Sequence, residues 1–152
     1  MSAEERLAEL GIVLPAVAKP RWAYTPAVRA GSLLFVSGQI AVEDGRVLHP
    51  GKVGAEVSVQ QAQECARRCA ISALAVAREH AGTLDGIERA VKLTVFVASA
   101  PGFTDQPTVA NGASELLRDV FGEPGLGARS AVGMAELPLG APVEVEFIFA
   151  LR

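Results

Sequence analysis

The residues best equipped for chemistry lie near the C-terminal end. Arg129 opens a stretch whose period-two neighbours are Ala131 and Gly133. On a strand these three share a face, so the small residues leave a hollow beside the guanidinium. An arginine so placed can clamp a carboxylate through two parallel hydrogen bonds. Glu144 alternates with Val143, Val145 and Phe147, which puts its carboxyl on the second face of a strand. An apolar interface against that face would raise its pKa into the range useful for proton transfer. Glu146 shares the face. Read singly, Arg129 also suits an ion-pairing surface role, and both glutamates suit solvated strand positions.

Three further hydrogen-bonding groups sit in or beside apolar segments: Tyr24, the only tyrosine; Ser37, ahead of Gly38-Gln39; and Asn111. No Walker loop, HExxH helix, G-x-S-x-G elbow or dinucleotide fingerprint is present. Cys65 and Cys69 are the only cysteines and fall on one predicted helix, too close and too rigidly held for a structural disulfide. With no histidine or further cysteine nearby to complete a ligand set, they read as small buried hydrophobes, and no metal site is expected. His49 reads as a loop residue beside Pro50-Gly51, and His80 as a cation near a helix end. On the residues alone, the chemistry amounts to a carboxylate-binding pocket.

Elements that position these groups follow from caps, turns and periodicity. Ser2 with Glu5 predicts a short capped helix ending at Gly11, an appendage over residues 1–14. Residues 22–28 and 32–37 read as a hairpin around Arg29-Ala30-Gly31, and a third strand is expected over 40–48, turned at Glu43-Asp44-Gly45. Ser58 and Gln61 predict a capping box for a long helix that Gly82 ends, with Ala62, Cys65, Cys69, Ala73 and Ala77 as a small-residue stripe. Val91, Leu93, Val95 and Val97 mark a strand, and Pro107 to Phe121 a second helix. Asn111 lies roughly 160° from the middle of that helix's apolar stripe at about 100° per residue, pointing away from the core. Residues 129–135 and 143–151 read as paired strands. The pattern is βββαβαββ, an α+β domain with helices on one face of a sheet.

Composition narrows the function classes. Half of the 152 residues are hydrophobic, 20% are charged and 5% are aromatic, so a core is available but a base-stacking platform is not. A net charge of −3 and a pI near 5.4 oppose a phosphate-binding footprint. The longest charge-free run, Ala30 to Val42, is shorter than the ~20 residues that a membrane helix needs. The acidic, amphipathic N-terminus does not read as a secretory signal, and the expected setting is cytoplasmic. Helices can cover only one sheet face, yet Phe35, Phe96, Ile148 and their neighbours supply apolar side chains to both faces of several strands, which predicts an oligomer.

The run Tyr24, Leu34-Phe35-Val36-Ser37-Gly38-Gln39-Ile40, Val95-Phe96-Val97, Asn111, Ala128-Arg129-Ser130-Ala131-Val132, Leu137-Pro138 and Val143-Glu144-Val145-Glu146 resembles the YjgF-type reactive-intermediate deaminase (Rid) family, also labelled L-PSP endoribonuclease. The resemblance spans Tyr24 to Leu151, in order. It implies one Rid-like domain over 1–152, a chorismate-mutase-like fold with a mixed sheet, and a homotrimer with a central barrel and three clefts between subunits. It also implies hydrolysis of 2-imino or enamine acids to 2-keto acid and ammonia, without a cofactor. Arg129 would hold the substrate carboxylate and Glu144 would activate water, while Tyr24, Ser37, Asn111 and Ala131 match pocket positions. The family's deaminase branch usually carries a cysteine where this chain has Ala131, so a pocket thiol is missing. The extra N-terminal helix, Gly51-Lys52-Val53-Gly54 and Asn111-Gly112-Ala113-Ser114 resemble a longer branch. A non-catalytic trimer binding small carboxylates such as 2-keto acids is the alternative, and endoribonuclease action ranks last.

Overall fold

Ser58 closes the capping box that its spacing predicts. Its Oγ accepts the Gln61 amide at 3.1 Å while Gln61 Oε1 accepts the Ser58 amide at 3.0 Å, satisfying two N–H groups that a helix start leaves orphaned. Helix α2 (Val59–Ala81) follows and ends at Gly82, whose φ of 80° suits glycine. The same box at Ser2 and Glu5 starts α1 (Ala3–Glu9). Helix α3 (Gln106–Phe121) has Pro107 in its first turn and stops at Gly122. The computed structural model describes residues 1–152.

Five strands form the main sheet in the order β1-β2-β7-β5-β6. They are β1 (Ala27–Ala30), β2 (Leu33–Ile40), β5 (Ile87–Ala98), β6 (Ala128–Met134) and β7 (Val143–Leu151). All neighbours are antiparallel except β5 and β6. A separate ribbon of β3 (Val42–Glu43) and β4 (Arg46–Val47) turns at Asp44-Gly45, both at positive φ.

Four expectations shift. The first strand begins at Ala27, not 22, because Pro26 has no amide to donate and the chain before it stays irregular. Its turn is Gly31-Ser32, since Ala30 pairs with Leu33. The third predicted strand is the short ribbon, outside the main sheet. Finally, β6 and β7 are not partners: β7 lies between β2 and β5, and β6 runs parallel to β5 at the edge. Val143, Val145, Phe147, Phe149 and Leu151 are all buried, so the most apolar strand takes the centre, whereas β6, with Gly133 and Ser130, suits an edge.

Both long helices cover one sheet face, as predicted. The stripe Ala62, Cys65, Cys69, Ala73 and Ala77 is fully buried, and short side chains let α2 settle on β2 and β7. Gly112 allows α3 equal proximity to α2, because a Cβ there would collide with the Gln63 carbonyl oxygen. Helix α1 docks through Leu7, which joins the common core. The Glu4 carboxylate accepts the Leu84 amide at 2.9 Å and pairs with Arg78 at 3.6 Å. The opposite sheet face is bare: Val28, Phe35 and Val132 are 53%, 43% and 39% exposed. No helix is long and apolar enough to cross a membrane.

Candidate functional site

The bare face carries a cleft floored by a bulge in β2. Val36 faces Phe147 and Gln39 faces Val145, so Ser37 and Gly38 together oppose the single residue Glu146. The bulge is tied down on both sides. Ser37 donates its amide to the Pro26 carbonyl at 2.9 Å and its hydroxyl to the Thr25 carbonyl at 2.7 Å. Gln39 Nε2 donates to the Ser37 carbonyl at 2.9 Å. Gly38 is glycine for a packing reason: the Glu144 carboxyl fills the place that a Cβ would take.

Glu144 is therefore half-buried against backbone, and burial raises its pKa above the usual carboxylate value, with the Glu146 charge adding to the shift. Ser37, Glu144 and Glu146 line one open cleft of about 430 Å³ with Tyr24, Trp22, Ile40 and Leu139. A carboxyl that keeps its proton more readily than usual, beside a phenol and apolar walls, is equipped to exchange protons with a small bound molecule.

Arg129 lies elsewhere in the same chain. It pairs across to Leu93, whereas Glu144 pairs with Phe96, so the two side chains leave opposite faces of the sheet. The guanidinium packs under α3. Nη1 donates to Asn111 Oδ1 at 2.8 Å and to Ser114 Oγ at 3.2 Å, and Nη2 donates to the Pro107 carbonyl at 3.3 Å. These bonds use three of five donors and leave Nε–H and one Nη2–H for a carboxylate. Asn111 does leave the apolar stripe, but it turns toward β6 and is half-buried rather than simply solvated. Ala131 shares the face of Arg129, while the expected hollow is closed at Gly133 by Gln106 and Ser99, each 3.1 Å from where a Cβ would stand.

The expected site residues thus fall into two separate groups. Tyr24, Ser37 and Glu144 converge on the bare face; Arg129, Asn111 and Ala131 gather at the β6 edge beneath α3. Sequence reasoning missed Ser114, Trp22 and Leu139. Ser114 follows Asn111 by nearly one helical turn, a spacing that puts both on one side of α3. Leu139 left no signal, because its φ of 60° is set by the turn around it.

The remaining reactive side chains are occupied. Cys65 and Cys69 are free and buried. Burial, then the Glu64 charge, pushes the Cys65 thiol up to about 12, and burial likewise raises Cys69. Both stay neutral hydrophobes. His49 pairs with Glu64 at 3.0 Å, and His80 Nδ1 lies 3.0 Å from the Val76 carbonyl one turn back. No group of three or more His, Cys, Asp or Glu is arranged to hold a metal.

An α+β domain whose mixed sheet is helix-covered on one face and carries a carboxylate-floored cleft on the other defines the class. Residues 4–151 match the family described as "YjgF/chorismate_mutase-like, putative endoribonuclease". The chain belongs to that family. It is 47% identical over 147 residues to protein TCP17 of Trypanosoma cruzi, covering 96% of this chain and 92% of the relative. A crystal structure of a protein of unknown function from Agrobacterium tumefaciens superposes with a TM-score of 0.91 at 46% identity, over 99% of this chain and 92% of that one. A 2-iminobutanoate/2-iminopropanoate deaminase of Dermatophagoides farinae is 26% identical over 141 residues, 93% of this chain and 95% of its own.

Proposed function

We propose that the protein is a hydrolytic deaminase of reactive 2-imino and enamine acids, working in clefts where Glu144 of one copy meets Arg129 of another. The observation that carries this reading is the Glu144 carboxyl seated on Gly38 in a cleft with Tyr24 and Ser37, its proton affinity raised by burial. Arg129, held from one side by Asn111, Ser114 and Pro107, keeps donors for a substrate carboxylate. The exposed apolar face of the sheet supports assembly of copies, for which we propose the homotrimer. The relative named as a 2-iminobutanoate/2-iminopropanoate deaminase supports the same chemistry.

The reaction needs little machinery. With the carboxylate fixed by Arg129, water adds to the carbon of the protonated C=N bond and gives up a proton to Glu144. The resulting carbinolamine breaks its C–N bond: Glu144 returns the proton to the departing amine, and as the C=O bond forms the hydroxyl proton also passes to that nitrogen, leaving a 2-keto acid and ammonia as ammonium. No redox change occurs, and the step calls on no metal or organic cofactor. Two free, buried cysteines suit the cytoplasmic setting that we propose.

One observation favours a second reading, a non-catalytic trimer that binds 2-keto acids: Ala131 stands where the deaminase branch has a thiol. Imino acids generated by an amino-acid oxidase and trapped with semicarbazide separate the two. The deaminase suppresses the trapped adduct, and Arg129→Ala abolishes suppression. Glu144→Gln slows turnover by roughly 10² to 10⁴ while retaining binding of 2-keto acid. The acid limb of the wild-type kcat/KM profile falls above the ordinary carboxylate value of 4.5. Adduct formation at the spontaneous rate with wild-type protein would sink the catalytic reading and favour the binding one.

A further inference from the structure

We propose that Leu139 and Trp22 form an apolar specificity wall at the mouth of the Glu144 cleft, selecting 2-imino acids with large branched or aromatic side chains over small or acidic ones. This rests on the deaminase reading and adds the substrate class to it.

The first observation is conformational. Leu139 has φ 60° and ψ 18°, a left-handed geometry that a Cβ-bearing, γ-branched residue rarely adopts. The surrounding backbone imposes it. Gly140 donates to the Leu137 carbonyl at 3.3 Å, Ala141 donates to the Pro138 carbonyl at 3.1 Å, and the Gly140 carbonyl accepts the Gly51 amide at 3.0 Å. Glycine or asparagine would meet that conformation at lower cost. A leucine held there against its preference suggests that the side chain serves the site.

Exposure is the second observation. Leu139, Trp22 and Tyr24 are 58%, 62% and 52% exposed, and all three line one cleft. Core packing therefore does not account for these side chains, whereas a bound apolar group would remove them from water. Charge is the third. One chain's lining of the cleft holds two carboxylates, Glu144 and Glu146, and no lysine, arginine or histidine, and the Arg129 that a second copy would add is taken by the substrate carboxylate. An acidic side chain would meet like charge, and a methyl group would leave the wall wet. The group that fits is large and apolar, lying along Leu139 and Trp22 while the imine carbon stands over Glu144.

The test uses the full chain and imines generated from phenylalanine, leucine, alanine and glutamate. Wild type is expected to favour the phenylalanine- and leucine-derived imines over the alanine-derived one by roughly tenfold or more in kcat/KM, with the glutamate-derived imine poorest. Leu139→Gly, which suits φ 60°, and Trp22→Ala should each cut the phenylalanine-to-alanine ratio by roughly tenfold. An unchanged ratio in both variants, or a wild-type preference for small or acidic imines, overturns the proposal. So does a change of oligomeric mass in either variant, which would make the pair a subunit contact. If wild type hydrolyses no imine, the deaminase reading fails by itself, and calorimetry decides the wall: phenylpyruvate binding roughly tenfold tighter than pyruvate sustains it, and equal affinity overturns it.

Discussion

Glu144 is the residue on which structure and chemistry converge, and its proton couples to stability. Burial raises its pKa in the folded chain, so the folded state holds a proton over a pH range in which the unfolded state has released it. Stability from this group is complete below the unfolded value and declines as pH rises through the folded one. Glu144→Gln removes the penalty, and its melting temperature should exceed wild type at pH 7 and match it below pH 4, as calorimetry would register. Parallel curves at both pH values would count against a buried carboxyl. Most of the candidate site residues are legible as residue types in context: Arg129 beside small neighbours, Glu144 between valines, Asn111 off the stripe. Leu139 is not, because its backbone angle is held by the turn bonds from Gly140 to Leu137 and from Ala141 to Pro138 and by the Gly51 amide on the Gly140 carbonyl, a partner that only the folded chain brings close.

At the scale of elements, local signals read well and non-local pairing reads poorly. The Ser58–Gln61 box and the Gly82 stop lie within a few residues of what they control, and the structure keeps both. By contrast, the partners of β7 lie far back in the chain in β2 and β5, and proximity in sequence to β6 suggests a hairpin that does not form. The contact between α2 and α3 is equally non-local. Gly112→Ala would drive a methyl group into the Gln63 backbone carbonyl, which cannot swing aside as a side chain can. The expected cost is about 1–3 kcal/mol, measured by urea denaturation; a loss below about 0.5 kcal/mol, typical of a surface change, would place α3 farther from α2 than described.

For the whole molecule, the helix-free sheet face is the surface on which the proposed assembly rests. Its apolar members Val28, Phe35 and Val132 surround a polar pair in which Lys92 Nζ donates to Ser130 Oγ at 3.1 Å. Covering that face with further copies removes apolar surface from water at roughly 25 cal/mol per Å². Light scattering at micromolar concentration should therefore return a multiple of the 15.8 kDa chain mass, and Phe35→Lys should lower it. A wild-type mass of one chain would refute the assembly. The sequence exposes this surplus of apolar residues but not its geometry, since which residues share a face depends on the β2 bulge and on the central position of β7.

Arg129 and Glu144 leave opposite faces of one sheet, and this division has a genetic consequence. If each cleft takes its arginine from one copy and its carboxylate from another, two dead alleles can rescue one another. Chains carrying Arg129→Ala and chains carrying Glu144→Gln, each severely impaired alone, should regain activity when unfolded together and reassembled. With random mixing of equal amounts, roughly a quarter of the clefts would join two intact residues. A doubly substituted chain mixed with an Arg129→Ala chain should restore nothing.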